Sequence, residues 1–279
     1  METRIQLRDS GDAHNVAVSD FTWTRFKPGF QIEIGPSKLI PDAQDQFLVF
    51  VKDPRASMET FRPFAEPDLM LDFAKIRTAE GVLNFANRFG KLGFDNESWR
   101  LQNPNLRGNE RVGEWLSEAA ELRHVLQVWR QVEAEDTASL RKFIRWEQEA
   151  VFADLDKGNK LLIANWHENP RWLPRLKRGE TLAPAKLYLA FRINLKLKGA
   201  ADVGVRLDSD LKFRPISRPI NLLSALWMLL SETVTGVRKI RPCEICGELM
   251  DVTANRSHKQ VHSRCSQRER VRKYRSKSK

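Results

Sequence analysis

All three cysteines of this 279-residue chain lie between Cys243 and Cys265, and their spacing restricts the fold more than any other feature. Cys243-x2-Cys246 has the spacing of a zinc knuckle, and the flanking Pro242 and Gly247 suit a tight turn whose amides point at the sulfurs. After fifteen intervening residues, His262-x2-Cys265 completes a Cys3His set. His258 is the competing nitrogen ligand; six residues separate it from Cys265, so His262 is preferred. An odd cysteine count in a cytosolic chain argues against a disulfide framework. The apolar side chains from Val237 onward are few: Val237, Ile240, Ile245, Leu249, Met250, Val252, Val261, Val271 and Tyr274. That is too little to close a core alone, and small modules of this kind need a staple such as a metal. Four protein ligands fill a tetrahedron, so the expectation is one structural Zn2+ with no open catalytic position.

The same segment carries most of the charge. The formal net charge is +11, and residues 238–279 hold 13 Lys/Arg against four Asp/Glu, while the preceding residues hold 34 against 32. A basic appendage on a near-neutral body suggests a polyanion partner; the plainer reading is a solvated tail. After Cys265 the chain has good helix formers and no Gly or Pro, with Ser266 as a candidate cap. Arg264, Arg268, Arg272 and Arg275 recur at spacings of three and four, which places them on one helical face. Together with Arg270 and Lys273 they are the candidate nucleic-acid contacts, and Val271 and Tyr274 are expected to point back toward the metal.

Pro242-Cys243-Glu244-Ile245-Cys246-Gly247, His262-Ser263, Cys265-Ser266-Gln267-Arg268 and Val271-Arg272-Lys273-Tyr274-Arg275 together resemble the bacterial CGNR-type zinc fingers. In that family a cysteine pair precedes a second pair ending in Cys-Gly-Asn-Arg and a basic segment. Here His262 stands at the third ligand position, and Ser266 and Gln267 replace Gly and Asn, which is closer to a related Cys3His branch. The resemblance covers about 40 residues. It implies a treble-clef-like, DNA-binding finger on a transcriptional regulator, with DNA favoured over RNA. The run Pro219–Trp227 and the segment 80–90 are similar to parts of such proteins but identify no chemistry.

The rest of the chain reads as an α+β body, residues 1–236, with short N-terminal strands, a mainly helical remainder and a small hairpin. A hydrophobic content of 41% and eight tryptophans exclude global disorder. Strands are expected over Phe30 to Ile34 and Gln46 to Lys52, and a helix over 78–89 with Thr78 as cap and Gly90 as terminator. Residues 99–113, rich in Asn, Gly and Pro, are the best internal loop, with a sub-boundary near 99–111. A long amphipathic helix then gathers Val112, Trp115, Leu116, Ala119, Leu122, Leu126 and Trp129 on a core-facing side. Thr137 is expected to cap a helix carrying Leu140, Phe143, Ile144, Val151 and Leu155. Leu187 to Leu197 alternates like a strand, yet Pro184 and Gly199 punctuate a helix, which is the preferred reading. A hairpin over 203–207 and 211–215 follows, then a helix opened by Ser217 and Pro219 and closed by Gly236.

Evidence for catalysis is sparse. The chain has no phosphate-binding Gly-rich loop, dinucleotide fingerprint, Gly-x-Ser-x-Gly elbow or His-Glu-x-x-His helix. Trp166-His167-Glu168-Asn169 is the one compact polar cluster; a loop holding a partly buried imidazole is preferred there to an acid–base pair. No apolar run reaches membrane-spanning length, and Met1 to Gln6 lack the core of a secretory signal, so a cytoplasmic protein is expected. The expectation is a zinc-finger regulator whose body senses an unknown small-molecule effector or mediates assembly. The alternatives are a nucleic-acid-processing enzyme or defence component, and a finger used for protein contact.

Overall fold

The computed structural model describes residues 21–27, 29–36, 44–50, 58–94, 109–148, 150–155, 159–165, 176–207, 213–253 and 260–277. It is an α+β molecule in which, among the described residues, helices supply most of the core and five small antiparallel sheets accompany them. Strands β1 (Trp23–Phe26) and β4 (Met58–Phe61) pair with each other. Strands β2 (Phe30–Pro36) and β3 (Gln44–Phe50) form a ladder extended by the short β5 (Glu110–Arg111). Phe30 and Leu48 join the main core, and Phe47 and Val49, on the opposite face of β3, are buried as well.

Helices α1 (Leu69–Ala74) and α2 (Ala79–Phe89) lie against α3 (Val112–Glu133). The Thr78 hydroxyl accepts from the Gly81 amide at 3.2 Å, the cap the sequence predicted. Gly90 ends α2 with φ +89, and a Cβ there would stand 2.7 Å from the Thr24 carbonyl oxygen, so glycine is required twice over. Along α3, Val112, Trp115, Ala119, Leu122, Leu126 and Trp129 are all buried, and Trp115 and Leu122 are fully so.

The next segment departs from expectation. Helix α4 (Thr137–Phe143) is capped by Asp136, whose carboxylate accepts from the Ser139 amide at 3.0 Å; Thr137 is the first helical residue instead. The helix stops at Phe143, and β6 (Ile144–Glu147), β7 (Ala150–Asp154) and β8 (Lys160–Asn165) form an antiparallel sheet. Gln148 turns the chain with φ +47, and β7 buries Val151 and Ala153 while Phe152 stays half-buried. That is a period of two, which a reading for helical stripes absorbed wrongly.

Helix α5 (Leu182–Leu197) carries the alternating leucines as a helix, as the flanking Pro184 and Gly199 suggested. Leu189 and Ile193 go into the core while Phe191 and Leu195 stay half exposed. Strands β9 (Ala201–Leu207) and β10 (Phe213–Pro219) pair with Phe213 opposite Leu207 and Pro219 opposite Ala201, a longer hairpin than expected. Ser217 and Pro219 therefore belong to a strand. The cap of α6 (Leu222–Val234) is Asn221, whose side-chain oxygen accepts from the Ser224 amide at 2.7 Å; past the other end, Gly236 turns with φ +79. Helices α3, α5 and α6 pack together around Trp227, Leu226, Tyr188 and Leu189.

One buried carboxylate joins these parts. Glu110 accepts from the amides of Leu92 (3.1 Å), Gly93 (2.6 Å) and Phe94 (3.3 Å) and from the Trp115 indole (2.9 Å). Burial pushes its carboxyl up, while those amides and the neighbouring Lys91 pull the other way. Asn221 donates to the Gly93 carbonyl at 2.7 Å, tying the same loop to the start of α6. The expected sub-boundary near 99–111 overlaps this region; residues 99–108 lie outside the described residues, and 110–111 pair with β3. One buried apolar cluster runs from Trp23 to Leu230, and a second is formed by Cys243, Met250, Val252 and Cys265. Among the described residues, no helix is long and apolar enough to cross a membrane.

Candidate metal centre

Beyond Gly236 the chain forms a hairpin, β11 (Ile240–Pro242) and β12 (Leu249–Asp251), and then α7 (Ser263–Lys277). The turn of the hairpin is the cysteine knuckle. The Gly247 amide donates to the Cys243 carbonyl, and the Cys243 amide to the Glu248 carbonyl, both at 2.8 Å; Gly247 has φ +69. The second ligand pair lies at the helix start, a treble-clef-like layout. The Ser266 amide donates to the His262 carbonyl at 3.0 Å. Helix α7 thus begins three residues before the Ser266 cap that the sequence suggested.

Cys243, Cys246, His262 and Cys265 come together, their ligand atoms all within 4.8 Å of one another, and could hold a metal ion. Cys243, His262 and Cys265 are buried and Cys246 is exposed. The imidazole is oriented for the task. Its Nε2 lies 3.3 Å from the Leu249 carbonyl oxygen, which can only accept, so Nε2 carries the proton. Nδ1 is then left with its lone pair, 3.3 Å from the Cys246 sulfur. A histidine whose second nitrogen donates to a backbone carbonyl is the usual outer-shell arrangement of a metal ligand. His258, the competing nitrogen, lies outside the described residues.

The sulfurs are prepared unequally. Burial alone would push the Cys243 thiol up, but the amides of Cys246, His262 and Ile245 outweigh it and bring it down to about 6. Burial and the neighbouring sulfurs of Cys246 and Cys243 push the Cys265 thiol up. Three sulfurs this close repel one another as anions unless a cation lies among them, which is the electrostatic signature of a thiolate metal site.

Arg264 and Arg268 are exposed on α7, but Arg264 is paired with Glu248 at 2.5 Å, and Glu248 also meets Lys75 of α1 at 3.1 Å. Arg264 is therefore part of a bridge to the body, not a free cation. Arg270, Arg272, Lys273 and Arg275 belong to α7, and their side chains lie outside the description, as does that of Tyr274. Val271 is half exposed and does not turn toward the cysteines as expected. The 166–169 cluster also lies outside the described residues. His124 packs edge-on to Phe143 and Tyr188 in the core.

Sequence reasoning missed the joint that seats this module on the body. Arg238 bridges Asp251 of β12 and Glu232 of α6 (3.2 Å) and donates to the Phe64 carbonyl at 3.2 Å. The Asp251 amide donates to the Asp68 carboxylate at 2.8 Å, and Asp68 takes a left-handed conformation, φ +63, ahead of α1. Charged residues scattered from 68 to 251 leave no local pattern, so no sequence signal announced them. No protein-family model, curated protein or solved structure matches the chain.

Proposed function

We propose that the chain is a zinc-finger DNA-binding protein, most simply a regulator, in which one structural Zn2+ pins a basic helix for nucleic-acid contact. The observation that carries the reading is the position of Cys265, the third residue of α7. A metal held there fixes the first turn of the helix that presents Arg268, Arg270, Arg272, Lys273 and Arg275. Three sulfurs and one imidazole favour Zn2+ over the hard cations, and four protein ligands make it structural. When bound it supplies a tetrahedral anchor and no reactive water. Three thiolates with a dication leave a local charge of minus one, so the finger stays strongly basic.

Arginines on one helical face suit phosphates and the guanine edge in the major groove. The likeness to CGNR-type fingers points the same way and rests on residues 242–275 alone. Fluorescence anisotropy on duplex DNA at several salt concentrations tests the proposal. Each neutralised phosphate contributes roughly −0.9 to the slope of log affinity against log salt. Removing residues 238–279 is expected to abolish binding, because the body carries almost no net charge. Undiminished binding by the truncated chain would refute it.

A further inference from the structure

We infer that the cleft between α3 and the finger hairpin is a binding site for a guanine base. The cleft has a volume of about 540 Å³, within the range of small-ligand sites. Its apolar surface comes from two elements: Trp129 and Ala134 from the end of α3, Ile240, Pro242 and Leu249 from the hairpin. Apolar groups from two sides suit the faces of a planar heterocycle. The polar lining has both signs. Arg130 and Glu133 both border the cleft and are exposed, and neither enters an ion pair among the described residues. At a spacing of three on one helix their Cβ atoms lie about 5–6 Å apart.

Guanine is the base whose adjacent edges match that pair. Its O6 and N7 accept two bonds from a guanidinium. Its N1–H and exocyclic amino group donate to a carboxylate. Adenine carries an amino group where guanine has O6, so it would set a donor against Arg130. Trp129 borders the cleft with its ring, while its indole nitrogen is buried out of reach of the cleft, so Trp129 contributes apolar surface to the site. The cleft also touches the metal module directly. Pro242 precedes a ligand cysteine, and the backbone of Leu249 accepts from His262. A base bound there lies against the hairpin that orients two ligands, so occupancy and finger geometry are linked.

The residues that line the cleft come from α3, the turn after it and the hairpin, so the two readings can fail independently. Isothermal titration of the metal-loaded full chain with GMP and with AMP tests it. GMP is expected to bind at least about tenfold more tightly, the low end of what one bidentate contact discriminates. The double variant Arg130→Gln, Glu133→Gln is expected to remove that preference while the circular dichroism spectrum is unchanged. A thymine-tract oligonucleotide with a single guanine distinguishes the source: preference seen only in the strand assigns a base within a chain, and preference seen with GMP as well assigns a free nucleotide. No preference for GMP over AMP together with no preference for the guanine-bearing strand over the same tract without guanine overturns the proposal. Absence of salt-dependent duplex binding by the same protein would count against the finger reading alone.

Discussion

Chelation should not unfold this protein uniformly. The apolar interior of the finger amounts to Met250 and Val252, with Val261 partly covering them and the two buried cysteines between. Two such side chains contribute about 3–6 kcal/mol at about 1.5–3 kcal/mol each. A structural zinc ion contributes on the order of 10 kcal/mol or more, so a metal held by these four residues would be the larger part of what stabilises the finger. The hairpin has additional support from the body through Arg238, Asp251 and the partly buried Ile240 and Leu249. On α7 itself, Arg264 reaches Glu248 from an exposed position, and Cys265 joins the ligand cluster in the first turn. Hydrogen exchange read by mass spectrometry, with and without EDTA, should therefore show a gradient. Amides of α7 lose protection fully, those of Leu249–Asp251 lose part of it, and those of α3 and α6 keep theirs. Full protection of α7 in the metal-free protein would refute the argument, and so would loss of protection throughout the body.

Three other outcomes are expected. Glu110→Ala strands four donors, of which the Leu92 amide and the Trp115 indole are buried; a donor left where water cannot replace the acceptor costs about 1–3 kcal/mol, so a loss of several kcal/mol is expected in urea unfolding. Because burial raises the folded-state pKa of Glu110, its favourable contribution is complete below the unfolded value near 4.3 and declines as pH rises through the folded one; the stability gap between wild type and Glu110→Gln should narrow over that rise, and a widening gap would sink the assignment. On DNA, Lys273→Ala should reduce the salt slope by about one unit for all sequences, whereas Arg268→Ala should cost about 1–3 kcal/mol at one base position; identical behaviour of the two variants would rule out base readout by Arg268.

The metal ligands were legible because their chemistry requires fixed local spacings, and the knuckle and the His-x2-Cys pair are each only four residues long. The α3 stripe was legible for the same reason, its period being set by the helix itself. Residues 144–154 were misread because Ile144, Val151 and Leu155 satisfy a helical period by chance, and only the turn at Gln148 decides for strands. The cap of α6 moved to Asn221 because two prolines and a serine upstream are equally at home at the end of an edge strand. Glu110, Arg238 and the cleft beside Trp129 could not be read at all. Each depends on partners brought together from distant parts of the chain, such as Arg238 with Phe64, and periodicity carries no information about those.

The joint changes how the finger should be regarded. Charge distribution alone describes a basic appendage on a neutral body, free to sample orientations. Arg238 contradicts that picture: its side chain is 11% exposed and lies between two carboxylates, one on α6 and one on the finger's own strand. Breaking a buried pair of this kind by removing one partner typically costs about 3–5 kcal/mol, because the remaining charges are left facing each other. Arg238→Met should leave the metal bound, since none of the four ligands is touched, but release the hairpin from Glu232 and the Phe64 carbonyl. The measurable consequence is selective. Zinc content stays the same, trypsin cuts between 236 and 243 faster, and α7 retains its metal-dependent protection. If the variant instead loses metal in parallel with its protease resistance, the joint and the cluster form a single cooperative unit, and the finger has no stability of its own apart from the body.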